Sequence, residues 1–250
     1  MEQLFETMFI QALYEQRDFS FIDNVALPAV SFTDEMATDS LLKSTSNSVA
    51  IGLDWDWPEI RGPGFPTSGH HAMAWSGASN EAWGSEIDYS QVYLSSRMNF
   101  LAGNRWKFLL RAEAGYSDAR SSVETISIGD TELNITLTEL PNIHRFKAGG
   151  SRSVRGYAFE FLDTNGLGSN HILTGSAEVE YRFLDDWSAA AFIDVGNAFN
   201  DWSKPGLKLG TGFGVRWYSV IGALRLDVAQ GWDLEGDPWR IHLTIGTPLL

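Results

Sequence analysis

Strict alternation of apolar and polar residues, segment after segment, most limits what this chain can fold into. From Ser48, the run SVAIGLDWDW puts Val49, Ile51, Leu53, Trp55 and Trp57 on one face and Ser48, Ala50, Gly52, Asp54 and Asp56 on the other. Residues 104–117, 173–183, 209–217, 222–228 and 240–246 behave in the same way. A period of two is the signature of a β-strand with two unlike faces. Weaker candidates lie near residues 3–14, 24–33, 70–78 and 86–98, bringing the expected total to roughly eleven strands. The run VETISIGDTELNITL predicts a separate hairpin turning at Gly129 and Asp130.

Alternation alone fits either a soluble β-sandwich or a closed barrel. The polar face separates the two, because it carries glycines and charges of both signs where an exposed sheet would carry uniform Lys and Glu. Residues 173–183, for example, set Thr174, Ser176, Glu178, Glu180 and Arg182 against Leu173, Gly175, Ala177, Val179, Tyr181 and Phe183. Such a face suits a lumen, and aromatic residues toward strand ends suit the two interfaces of a bilayer. The connections also alternate. Read backward from the C-terminus, QGWDLEGDP is long, SVIG short, AFNDWSKPG long, LDD short, residues 118–170 very long and FLAGN short. Long loops at one end and short turns at the other are expected of a bacterial outer-membrane barrel. No stretch reaches the ~18 apolar residues of a spanning helix, whereas a spanning strand needs only about 10. No linker divides the chain, so residues 1–250 read as one all-β, antiparallel transmembrane barrel domain. The first residues, MEQLFETMFIQALYEQRDF, lack the basic start, apolar run and cleavage site of a signal peptide, so an export signal is expected outside them.

Other chemistries find no support. A formal net charge of -14 opposes binding of nucleic acid. With no cysteine there is neither a disulfide scaffold nor a thiolate metal site. His70, His71, His144, His171 and His242 do not recur at metal-ligand spacing, and no cofactor or metal is expected. GGSRS fails the G-x-S-x-G pattern of an esterase elbow, and GTGFG lies in a strand pattern without the strand-turn-helix setting of a nucleotide loop. The chain does not read as an enzyme.

One stretch is left over. GGSRSVRGY, residues 149–157, places two arginines in a glycine-rich tip of the longest connection. It resembles the tip of the sixth extracellular loop in the BamA and TamA superfamily of outer-membrane assembly and translocation barrels. FPTSG at 65–69 resembles that family's P-T-x-G turn, FIDVG at 192–196 its F-x-D-x-G strand, and GTGFGVRW at 210–217 with GALRLDVA at 222–229 its penultimate strands. With VALPAVSF early in the chain, the TamA branch is the nearest, over roughly residues 20–250.

The resemblance implies the C-terminal portion of a sixteen-stranded barrel that begins near its sixth strand, N-terminally incomplete and without the family's periplasmic POTRA domains. It also implies that loop 118–170 folds back into the lumen, where Arg155, with Gly156 and Tyr157, meets Asp194 on the wall. Strand parity agrees, since Asp194 shares a face with Ser188, Ala190 and Gly196. A confined arginine is costly unless paired, and a paired one can pin a mobile loop. Glu180, Arg216 and Asp227 share the inner face and would extend the network, although lumens also hold such charges without a mechanism; Arg152 reads as solvated. The function implied is TamA-like insertion or secretion of autotransporters and other β-barrel clients. Its partners would be outer-membrane lipid, those clients, and a TamB-like inner-membrane protein reached through POTRA domains. A two-partner secretion transporter, the barrel of a patatin-like phospholipase and a passive pore are the alternatives.

Overall fold

The computed structural model describes residues 4–18, 43–61, 68–119, 121–128, 131–138, 140–163, 166–219, 222–234, 236 and 239–246. Ten strands form one antiparallel sheet: β1 (Phe5–Asp18), β2 (Lys43–Arg61), β3 (Ser68–Ser79), β4 (Tyr89–Ala102), β5 (Trp106–Ala119), β8 (His171–Leu184), β9 (Trp187–Phe199), β10 (Lys208–Ser219), β11 (Gly222–Gly231) and β12 (Trp239–Gly246). The remaining two, β6 (Ser121–Ile128) and β7 (Thr131–Thr138), pair only with each other, as the hairpin pattern predicts. Every strand of the sheet pairs with its sequence neighbour, except that β5 passes over the hairpin and the long loop to pair with β8. Ten of the eleven sequence candidates are therefore strands of the sheet. The eleventh, 24–33, lies outside the described residues, and β1 pairs directly with β2 on either side of it.

The sheet is strongly curved. Lys107 on β5 and Tyr218 on β10 are separated by β8 and β9, about 14 Å across a flat sheet at the usual interstrand spacing. Yet Lys107 Nζ donates to Tyr218 Oη at 2.5 Å, so the strands wrap toward one another on the face these side chains share. Among the described residues the sheet has two edges, β1 and β12.

Burial is reversed relative to a soluble sandwich. Along β9, Ser188, Ala190, Phe192 and Asp194 are buried while Ile193 and Val195 are exposed. Lys107, Glu180, Asp194 and Arg216 are each 0% exposed, whereas Ile241, Leu243 and Ile245 on β12 are 73%, 62% and 66% exposed. Water would penalise that outer surface heavily, and hydrocarbon would not. Aromatic rings gather where the strands reach the short turns: Trp106 packs on Tyr181 with centroids 4.7 Å apart, Phe100 on Phe108 at 5.1 Å and Trp187 on Trp217 at 6.2 Å. The Trp and Tyr rings among them, apolar in body and polar at the tip, suit a membrane interface. The molecule is thus an antiparallel membrane β-barrel wall with a charged inner face.

Candidate functional site

The connection between β7 and β8 lies against that inner face. Two antiparallel bridges stiffen it, Phe146 with Ser169 and Ala148 with Leu162, through backbone bonds of 2.8–2.9 Å. Between the arms the chain reverses tightly: Ser153 N–H donates to Gly150 O, and Gly150 N–H to Val154 O, both at 3.2 Å. Val154 and Tyr157 then bury among Ala148, Leu162, Ile172 and Ala198, which fixes the residues between them. Gly156 has φ 97°, in the left-handed region, and a Cβ there would lie 2.5 Å from the Gln230 carbonyl carbon, so only glycine fits.

The wall provides room for this tip. Register places Gly210 of β10 opposite Asp194 of β9 on one side and Gly231 of β11 on the other. A Cβ at Gly210 would collide with the Arg155 carbonyl oxygen, and one at Gly231 would sit 3.0 Å from the Tyr157 ring. Two missing side chains thus make the notch that admits the loop backbone.

Arg155 reaches across the notch. Its Nε donates to Asp194 Oδ2 at 2.7 Å, its Nη2 to Asp194 Oδ1 at 2.9 Å and its backbone N–H to Asp194 Oδ2 at 3.0 Å. This is the fork-to-carboxylate geometry in which charge-assisted bonds are strongest. Nη1 also donates to Glu178 Oε2 at 2.5 Å and lies 3.4 Å from Asp227 Oδ2. The guanidinium stacks over the Phe192 ring, 3.3 Å from its centroid. Arg216 ties the same carboxylates from the other side, with Nη2 2.8 Å from Glu178 Oε1 and Nη1 2.6 Å from Asp227 Oδ1. Its Nε is 3.7 Å from Glu180 Oε1, and Glu180 in turn faces Lys107 Nζ at 3.3 Å and accepts a short bond from Tyr218. Arg111 approaches Asp194 Oδ1 at 3.6 Å. Four carboxylates, Glu178, Glu180, Asp194 and Asp227, are therefore met by Arg155, Arg216, Arg111 and Lys107, as burial of charge demands.

The other two tip residues extend the attachment to different strands. Gly156 N–H donates to His242 Nε2 on β12 at 3.2 Å. Tyr157 Oη lies 3.1 Å from Leu209 O and 3.0 Å from Asp233 Oδ2, neither of which belongs to the charge cluster. The Leu209 N–H donates to the Asp233 carboxylate at 3.0 Å, and this bond foremost holds the Asp233 carboxyl below its usual range. Arg152 is exposed and joins none of these pairs.

The structure brings Arg155, Asp194, Glu180, Arg216 and Asp227 into one continuous network, with Gly156 and Tyr157 beside it. Sequence reasoning missed Glu178, which like Asp227 bridges both arginines, as well as Phe192, Lys107 and His242. Glu178 carries a legible signal in its parity with Ser176 and Glu180. Its selection over Glu180 depends on register, which puts Glu178 opposite Phe192, under the guanidinium. Among the described residues no group of His, Asp and Glu is arranged to hold a metal.

The Omp85 superfamily domain matches residues 10–248. Among solved structures, BamA from Haemophilus ducreyi lacking POTRA domains 1-3 is similar in fold, with a TM-score of 0.64 and 16% identity over 96% of this chain and 51% of that one. The chain thus spans about half the length of that protein. Its exposed apolar belt, its ten-stranded antiparallel wall and a domain match covering nearly all of its length lead to one conclusion: the chain belongs to the Omp85 superfamily and is a barrel of the bacterial outer membrane.

Proposed function

We propose that this barrel promotes insertion or translocation of client β-barrel proteins, autotransporters among them, in the manner of a TamA-type factor. The observation that carries the reading is the buried bond set of Arg155, which ties one loop to β8 through Glu178, β9 through Asp194 and β11 through Asp227. With Gly156 bonded to His242, β12 joins the same clamp from inside. In this reading residues 118–170 form an extracellular loop folded into the lumen, and its tip sets the position of the last strands.

The mechanism needs only backbone chemistry. Among the described residues β12 pairs on one side only, with β11. In hydrocarbon each unpaired N–H or C=O costs several kcal/mol, so an edge strand is a template for an incoming strand. The clamp would hold β12 in place while a client strand pairs beside it, and release or rocking of the tip would free the edge afterwards. No cofactor or covalent step enters. POTRA domains and a TamB-like inner-membrane partner would deliver clients, and local disturbance of outer-membrane lipid would ease their entry. An inner face filled by a bonded loop tip argues against a passive pore.

The test is assembly of client barrels in cells whose copy carries Arg155→Ala. Client assembly should fall while the variant itself still accumulates as a heat-modifiable barrel. Normal client assembly by a folded Arg155→Ala variant would remove the clamp from the mechanism.

A further inference from the structure

Beside the clamp, toward the short-turn end of the barrel, lies a second polar site that the loop network does not use. A cavity of about 280 Å³ is bordered by Arg97 and Asn99 of β4, Arg225 of β11, Thr244 of β12 and Arg152 of the loop tip. Arg225 stands opposite Arg216 in the β10–β11 register, but only Arg216 has carboxylate partners. The Nε and Nη2 of Arg225 and the Nδ2 of Asn99 are buried without a hydrogen-bond partner. The two carboxylates that border the cavity, Glu178 and Asp227, are already engaged by Arg155 and Arg216. Arg111, also on its wall, bonds Ser176 at 3.1 Å and faces Asp194. Among the described residues no acidic group forms an ion pair with Arg225 or Arg97.

Buried N–H donors facing one space, on a guanidinium that no carboxylate meets within ion-pair distance among the described residues, describe an anion site. The adjacent Nε–H and Nη2–H of Arg225 form a fork that takes two oxygens of one group. Asn99 adds a donor from the facing strand, and Arg97 and Arg152 add charge. A carboxylate would fill the fork and leave the Asn99 amide and the second charge unanswered, whereas a tetrahedral oxyanion has oxygens for each. The space is smaller than the ~300–1,000 Å³ of drug-sized ligand sites, so it suits a single group better than a whole molecule.

We propose that this cavity binds a phosphate group, presented either as the free anion or by a phospholipid headgroup. The test is equilibrium dialysis of the purified full chain, in a neutral detergent, against radiolabelled inorganic phosphate at constant ionic strength. A parallel series places the chain in phosphatidylcholine nanodiscs with and without phosphatidic acid and reads the midpoint temperature of its heat-modifiable gel shift. Saturable binding near one phosphate per chain is expected. It should weaken at least tenfold in Arg97→Gln and vanish in Arg225→Met, which should keep or raise the midpoint in phosphate-free buffer because it removes the orphaned donors. Asn99→Leu is the second variant should Arg225→Met not fold, and it too should weaken phosphate binding. Protection by phosphatidic acid with weak inorganic binding would identify the headgroup as the source, and tight inorganic binding alone would identify the free anion. The proposal is overturned by acetate competing as well as phosphate, by binding undiminished in Arg225→Met or Asn99→Leu, or by a wild-type chain that answers neither phosphate source.

Discussion

Replacing Arg155 by Met keeps most of the side-chain volume and removes the charge, which isolates the ionic contribution of the clamp. In the native protein three cations, Arg155, Arg216 and Arg111, face Asp194, Glu178 and Asp227 in the clamp. In R155M Asp194 keeps the backbone N–H of residue 155, the Ser176 hydroxyl and Arg111 at 3.6 Å, and loses both guanidinium bonds. Removing one partner of a buried pair costs about 3–5 kcal/mol, because the other charge stays buried. At one decade per ~1.4 kcal/mol, the undocked population of the loop should rise by roughly two to three and a half orders of magnitude. Trypsin cleavage after Arg152 in barrels reconstituted in vesicles reports that population, provided opening is fast relative to cutting. The double variant R155M/D194L removes the orphaned carboxylate too and should be cut more slowly than R155M. Cleavage of R155M at the native rate would refute the reasoning, since the tip would then be held by its apolar residues and backbone bonds without the guanidinium.

Further expectations concern the rest of the tip. Gly156→Ala, at φ 97°, should cost about 1–2 kcal/mol for the left-handed backbone, with a clash against the Gln230 carbonyl carbon in addition, and should raise tryptic cleavage without altering strand content by circular dichroism. Tyr157→Phe removes the hydroxyl between Leu209 O and Asp233 and should cost about 0.5–1.5 kcal/mol, read as a lower urea midpoint for loop protection. The folded Asp233 carboxyl lies below its ordinary value of 3.8, so its stabilising contribution is present above that pH and is lost as the pH falls through the folded value. Acid should therefore loosen the Leu209–Asp233 attachment in the wild type, and Asp233→Asn should flatten that part of the profile in hydrogen-exchange measurements.

Much of the wall could be read in the residues. Along β9 the alternation of Ser188, Ala190, Phe192 and Asp194 with exposed Ile193 and Val195 is complete, because each face meets a single environment. Parity therefore placed Asp194, Glu180, Arg216 and Asp227 on one face. What parity omits is which residues on that face meet across strands, since register is set by turns and pairing rather than by period. Glu178 was thus indistinguishable from Glu180 until Phe192 lay opposite it. The notch was illegible for a related reason: Gly210 and Gly231 look like ordinary strand glycines, and their purpose appears only when register sets them side by side next to Asp194 and the loop backbone descends onto them. Tyr157 belongs to the loop motif, yet its partner Asp233 sits in a connection with no periodic pattern. Arg225 gave no signal either, because much of its surroundings comes from β4 and the loop tip, far away in the chain.

The central claim is that a loop tip with no regular secondary structure is bonded to the inner barrel wall through its own backbone as well as its side chain. Amide hydrogen exchange of the intact chain in a lipid bilayer tests this without any substitution. The Arg155 N–H donates to Asp194 and the Gly156 N–H to His242, so a peptide spanning 153–157 should exchange as slowly as the strands of the wall. Exchange of that peptide at the rate of an exposed loop would contradict the account.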